Sequence, residues 1–152
     1  MIKSTNSFVK KFAFLMPFYY LTVSASNAND ITGTWKNIDD NTNKAKSIIE
    51  IVRDNGIYTG KIIELLNPSS PNPLCTKCSG DDANQPIKGL TIIKGVSKKQ
   101  GSWSGGTILD PKKGKAYKVT FTLIDNGQKL KVRGFIGIPA LGRTQIWLRQ
   151  SN

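Results

Sequence analysis

From about residue 31 to residue 149, apolar and polar positions alternate in short runs separated by turn-forming residues. The pattern predicts eight strands, at about 31–37, 46–53, 57–65, 90–97, 102–109, 116–125, 128–138 and 143–149. No stretch of this region carries a helical period of useful length. Short, evenly spaced strands point to an all-β sandwich or barrel.

Two connections set register. Asn55-Gly56 and Asn126-Gly127 each stand between β-rich runs, the sequence signal of a two-residue hairpin turn. Such a turn fixes which residues face one another. In the first hairpin Ile49 is placed opposite Ile62, Ile51 opposite Gly60 and Arg53 opposite Tyr58, with the isoleucines facing the core. Glu50 falls opposite Lys61 on the wet face, as a surface ion pair worth well under about 1 kcal/mol. That demotes Glu50 as a catalytic candidate. In the second hairpin Leu123 faces Leu130, Phe121 faces Val132, Val119 faces Gly134 and Tyr117 faces Ile136. The opposite face holds Lys118, Thr120, Thr122, Lys129, Lys131 and Arg133, so one side is buried and one solvated.

The last connection, Pro139-Ala140-Leu141-Gly142, allows two registers. A three-residue loop with a bulge at Gly142 turns Thr144, Ile146 and Leu148 inward. A four-residue loop turns Gln145, Trp147 and Arg149 inward instead. Hydrophobicity favours the first, which also places Arg133 opposite Trp147 on the outside.

Ahead of the strands, the first eleven residues carry Lys3, Lys10 and Lys11 and no acid. An apolar stretch over 12–23 follows, then small and polar residues up to Ala25 and Ala28. This is the order of a secretory signal peptide, with Ser26-Asn27-Ala28 as the favoured cleavage site and Val23-Ser24-Ala25 as the second. A membrane span needs about 20 apolar residues, more than this stretch supplies. The expected organisation is a signal peptide over 1–28 and a single β domain over 29–152, with no transmembrane anchor in the mature chain.

Composition then narrows the chemistry. The chain has 22 basic residues against 10 acidic ones. An exported basic domain can meet anionic lipid headgroups or an acidic ligand. The lysines are scattered, without the clustered Arg/Lys and stacking aromatics of a nucleic-acid footprint, so no nucleic-acid partner is expected. The chain has no histidine. That removes Ser-His-Asp and Cys-His catalysis and any His-ligated metal. Only Glu50 and Glu64 supply glutamate, so general acid–base work would fall to aspartates, Tyr or Lys.

Both cysteines lie in the one long irregular stretch, 67–89, of a length that is often functional. In an oxidising compartment, Cys75 and Cys78 are expected to form a local disulfide. It closes a tiny loop, so its entropic contribution is at most about 2 kcal/mol. A thioredoxin-type site needs a helix N-terminus beside a βαβ unit. A structural zinc needs four ligands, and only Asp81 or Asp82 stands nearby. Neither metal nor cofactor is expected.

Several ordered motifs together resemble a known family. They are Gly33-Thr34-Trp35; Asn55-Gly56 with Gly60-Lys61-Ile62; Cys75-Thr76-Lys77-Cys78; and Pro86-Ile87-Lys88-Gly89-Leu90. Gly106 to Pro111 follows, with Gly114 and Tyr117, then Arg133-Gly134-Phe135-Ile136-Gly137 and Gly142 to Trp147. Across about 31–149 the chain resembles the domain of unknown function 2147 family, small exported proteins mainly of Gram-negative bacteria. The resemblance implies an eight-stranded antiparallel up-and-down barrel of lipocalin-like (calycin) topology and no assigned activity, while the signal peptide sets the expected location as periplasmic, with extracellular as the alternative. Gly33-x-Trp35 also resembles the first strand of lipocalins. There the tryptophan closes one barrel end beneath a basic residue, here Arg149 or Arg143.

The polar candidates for a ligand site are Asp110, Tyr117, Arg133, Arg143 and Gln145. Asp110 opens the turn Asp110-Pro111-Lys112-Lys113-Gly114 and caps it through its carboxylate. The arginines have forks suited to carboxylate or phosphate, and Tyr117 offers a hydroxyl near one barrel mouth. The leading expectation is an exported module that holds a small ligand or contacts an envelope component. The alternatives are an envelope-acting enzyme using Asp110, Tyr117 or Arg143, and an interaction module built on the cysteine loop.

Overall fold

The computed structural model describes residues 29–151. Nine strand segments run in chain order: β1 Gly33–Ile38, β2 Ala45–Asp54, β3 Ile57–Leu65, β4 Thr91–Lys99, β5 Ser102–Ser104, β6 Thr107–Asp110, β7 Lys115–Ile124, β8 Lys129–Phe135 and β9 Arg143–Arg149. Consecutive strands pair antiparallel, except β5 with β6, and β1 meets β9 through Trp35↔Arg149 and Lys36↔Leu148. The sheet therefore closes into an up-and-down barrel with no free edge. Segments β5 and β6 share both neighbours, β4 and β7. They are two halves of one stave, which gives eight staves in all.

The expected strand over 102–109 breaks at Gly105-Gly106. A side chain at Gly106 would strike the backbone of Lys94, Gly95 and Val96. Glycine lets β4 cross that close to the stave, and the crossing bends it.

The two Asn-Gly hairpins form as the turn chemistry predicts. Asn55 and Gly56 take φ of 47° and 81°, the left-handed pair that such a turn requires. In the second turn Asp125 joins Asn126 and Gly127 in that region, at 53°, 50° and 79°, and the expected register is kept. Ile49↔Ile62, Ile51↔Gly60, Phe121↔Val132 and Val119↔Gly134 are all observed partners. Glu50 does face Lys61, but among the described residues the two do not close to a salt bridge.

The last hairpin corrects the sequence reading. Strand β8 ends at Phe135, and residues 136–142 form a longer connection holding a 3-10 turn at Pro139–Leu141. The register is Gly134↔Arg143, Val132↔Gln145 and Leu130↔Trp147. Gln145, Trp147 and Arg149 therefore face inward, while Ile146 is exposed. Arg133 lies opposite Thr144 rather than Trp147. Ile136 leaves the strand, so Tyr117 keeps only Ile108 of β6 as a register partner.

The core lies along the barrel axis. Ile31, Trp35, Ile49, Ile51, Tyr58, Val96, Trp103, Phe121 and Leu130 are almost wholly removed from solvent. Tyr58 meets Trp103 edge to face, and Phe121 meets Trp147 the same way, each at 6.3 Å between centroids. Such pairs add to the burial of the rings themselves. Trp35 donates its indole N–H to the Ile31 carbonyl at 2.9 Å. Arg149, and not Arg143, covers the Trp35 ring, with its guanidinium carbon 4.2 Å from the centroid. One barrel end is thereby closed.

Segment 66–90, between β3 and β4, is ordered by its own hydrogen bonds. Cys75 donates its N–H to Gln85 at 2.8 Å, Asn84 donates to Cys75 at 3.0 Å, and Leu74 bridges Pro86. Cys75 and Cys78 form the expected disulfide, with Cα atoms 5.3 Å apart. Cys75 is fully buried in the core, and its sulfur lies 3.3 Å from the Pro111 carbonyl oxygen. The cysteine loop thus docks on the turn after β6. Among the described residues no helix is long and apolar enough to cross a membrane.

Candidate functional site

Opposite the closed end, the barrel holds a cavity of about 500 Å³. Its wall is aliphatic and aromatic: Ile62, Leu65, Ile92, Ile108, Val132 and Trp147 line it, with Tyr117 and Phe135 nearer the opening. Gly134, with no side chain, leaves space in this wall. A Cβ at Gly134 would sit only in ordinary contact with Tyr117 and Ile108, at 3.6 and 3.8 Å. Pockets of a few hundred cubic ångströms, mostly apolar with a few placed polar groups, suit small organic ligands.

Four of the five candidate residues from the sequence line this cavity, and two of them, Arg143 and Gln145, meet in one network. The Arg143 guanidinium donates through Nε and Nη2 to both oxygens of Asp40. Gln145 Nε2 donates to Asp40 Oδ1 at 3.1 Å, and Trp147 Nε1 donates to Gln145 Oε1 at 3.2 Å. The Arg143 hydrogen bond, aided by that from Gln145, holds the Asp40 carboxyl below its ordinary value. Tyr117 also lines the cavity, and among the described residues its hydroxyl has no hydrogen-bond partner. Asp110 sits at the rim as a turn cap, accepting the Lys112 backbone N–H at 3.0 Å.

Arg133 is not part of the site. It lies on the outer face and donates to Pro139 O at 2.7 Å, Ala140 O at 3.1 Å and Thr144 Oγ1 at 2.7 Å. It pins the 136–142 connection. Gly33, Trp35 and Arg149 belong to the closed end, as the lipocalin resemblance implies. Arg149 donates to the carbonyls of Gly127, Thr32 and Asp30 at 2.6, 2.9 and 2.7 Å. Burial lowers its pKa.

The sequence reading missed Asn37, Ser47 and Asp40. Asn37 and Ser47 are cross-strand partners, and both line the cavity. Asn37 Oδ1 is buried without a hydrogen-bond partner. Ser47 is only 4% exposed and stands beside it. A signal was available, because both are polar residues at inward strand positions, in line with Trp35 and Ile49. Asp40 gave none, since its role depends on meeting a strand 103 residues away.

The family described as uncharacterised proteins conserved in bacteria, DUF2147, matches residues 33–149. The chain belongs to the DUF2147 family. No curated protein matches this DUF2147 chain in sequence. Among solved structures, protein HP1028 from the human pathogen Helicobacter pylori, described as belonging to the lipocalin family, is similar. The TM-score is 0.70 over 81% of this chain and 84% of that one, at 21% identity. At that identity the likeness concerns the fold, an eight-stranded lipocalin-like barrel. In this DUF2147 barrel the matched region spans both the closed end and the cavity.

Proposed function

We propose that this protein is an exported binding module that takes a small, largely apolar ligand into the open half of its barrel. The observation that carries this reading is the cavity of about 500 Å³ with the unpaired Asn37 Oδ1 in its apolar wall, beside Ser47. A buried acceptor without a partner costs free energy, on the order of 1–3 kcal/mol. A ligand hydroxyl, amide or ammonium reaching Asn37 Oδ1 removes that cost and fixes orientation. Asp40 is held ionised by Arg143, so it is poorly suited to deliver a proton, which disfavours acid catalysis there.

Export is supported by the charge and hydropathy order of residues 1–28 and by a disulfide, which persists in oxidising compartments. A periplasmic location follows from this reading. Protein recovered from a periplasmic extract should begin at Asn29.

The binding test is solvent extraction of purified protein followed by mass spectrometry, paired with titration of an anilinonaphthalene sulfonate dye while the summed emission of Trp35, Trp103 and Trp147 is followed. A co-purifying molecule that competes with the dye supports the reading. An empty extract together with no dye response would sink it.

A further inference from the structure

The connection after β8 presents its apolar side chains to solvent. Ile136, Ile138 and Leu141 are 65%, 59% and 80% exposed, and contiguous exposed aliphatics mark interaction surfaces. The connection is held in place. Arg133 fastens it at Pro139 and Ala140, and internal bonds run from the Leu141 N–H to Ile138 O at 3.3 Å and the Gly142 N–H to Pro139 O at 3.0 Å. The aliphatic crest is therefore presented ready-made, and little conformational freedom remains to be lost when it is buried.

Across the same cavity mouth lies the Asp110–Gly114 turn, because Ile136, Leu141, Lys112 and Lys113 all border one opening. Lys112 and Lys113 are exposed, and among the described residues neither ammonium is in an ion pair. The other acids nearby are engaged, Asp39 by Lys46 at 3.4 Å and Asp40 by Arg143. Asp110 spends one oxygen on the Lys112 backbone N–H. The rim thus pairs projecting aliphatics with an excess of positive charge, two lysines against the one Asp110 carboxylate on their turn.

We propose that the cavity mouth docks on an anionic lipid bilayer, with Ile136, Ile138 and Leu141 entering the headgroup layer and Lys112 and Lys113 resting on lipid phosphates. An interfacial surface of this kind combines apolar insertion with attraction to acidic lipids. A second copy of the chain is a poorer occupant, since the full sequence carries +12 and still +9 once Lys3, Lys10 and Lys11 are removed with residues 1–28 (12 − 3), and so repels itself at its basic rim. The inference does not depend on the cavity having a ligand, because it concerns the outer rim.

The test is cosedimentation of protein produced from the full chain with phosphatidylcholine vesicles, with and without phosphatidylglycerol. Binding should require phosphatidylglycerol and fall as salt is raised. Ile138→Ser with Leu141→Ser, and separately Lys112→Glu with Lys113→Glu, should each weaken it about tenfold or more. A melting curve like that of the parent shows that each variant is folded. In a third variant, Ile138→Trp, emission should shift to the blue on acidic vesicles and be quenched by brominated lipid. Failure to bind either vesicle overturns the proposal, as does binding untouched by the serine variant. So does a lipid-independent dimer in sedimentation that the serine variant dissolves. Ligand binding lost with vesicle binding intact, or the reverse, tells the two readings apart.

Discussion

Asp40 and Arg143, 103 residues apart in sequence, join the loop after β1 to the start of β9 by a two-point ion pair at the cavity mouth. Gln145 and Trp147 extend the pair into the barrel. The pair therefore couples the rim to an aromatic ring in the cavity wall.

Its pH dependence has a definite sign. Arg143 holds the Asp40 pKa below its ordinary 3.8. The stabilisation it gives is complete above that value and is lost as pH falls through the lowered folded value. Asp40→Asn should cost under about 1 kcal/mol at neutral pH, as for other exposed pairs. Urea melts should show the difference from the parent shrinking on acidification below pH 3.8. A gap that widens there contradicts the assignment.

Arg149 should matter far more. Its fork serves three backbone carbonyls and covers Trp35. Arg149→Met keeps the stem but strips those partners, and unfolding free energy should fall by about 2–4 kcal/mol. Arg149→Lys should recover only part of it, because an ammonium does not reproduce the fork. Chemical denaturation of the three proteins measures both.

Gly134→Leu should block the cavity. A Cβ there meets only the side chains of Tyr117 and Ile108, at 3.6 and 3.8 Å, and the added bulk should cost about 1–3 kcal/mol, short of unfolding the barrel. Ligand or dye affinity should drop about tenfold or more as the space disappears. Calorimetric titration beside a melting curve reads both quantities, and unchanged affinity would move the ligand out of the barrel.

Arg133→Ala should release the 136–142 connection without opening the barrel. Amide hydrogen exchange at Leu141 and Gly142, whose N–H groups bond within that turn, should speed up while core amides keep their protection. Uniform loss of protection would mean that Arg133 supports the whole sheet.

The sequence carried the barrel well wherever a tight turn pinned the pairing. Asn55-Gly56 and Asn126-Gly127 dictated register over two hairpins, and the side chains faced as expected. The β8–β9 connection misled because Ile136 and Ile138 continue the alternation of Leu130 and Val132, although that chain segment has already left the sheet. Apolar alternation reports a two-residue period, not whether a sheet is still there to receive it. The face of β9 depended on where the loop began, so Ile146 was favoured for the interior over Trp147. Of the site, Tyr117, Arg143 and Gln145 were legible as polar residues near strand ends. The Asp40 partnership was not, because only barrel closure brings its loop to β9.

The distribution of bulk along the axis has an evolutionary consequence. Trp35, Trp103, Phe121 and Leu130 are buried together away from the mouth, while the residues that shape the cavity sit in the other half. Drift at Ile62, Ile108 or Val132 can remodel what is bound and leave the foundation of the fold untouched. Under the proposed binding role, relatives sharing this barrel would diverge in ligand while keeping one architecture, and the residues of the closed end would be poor guides to that ligand.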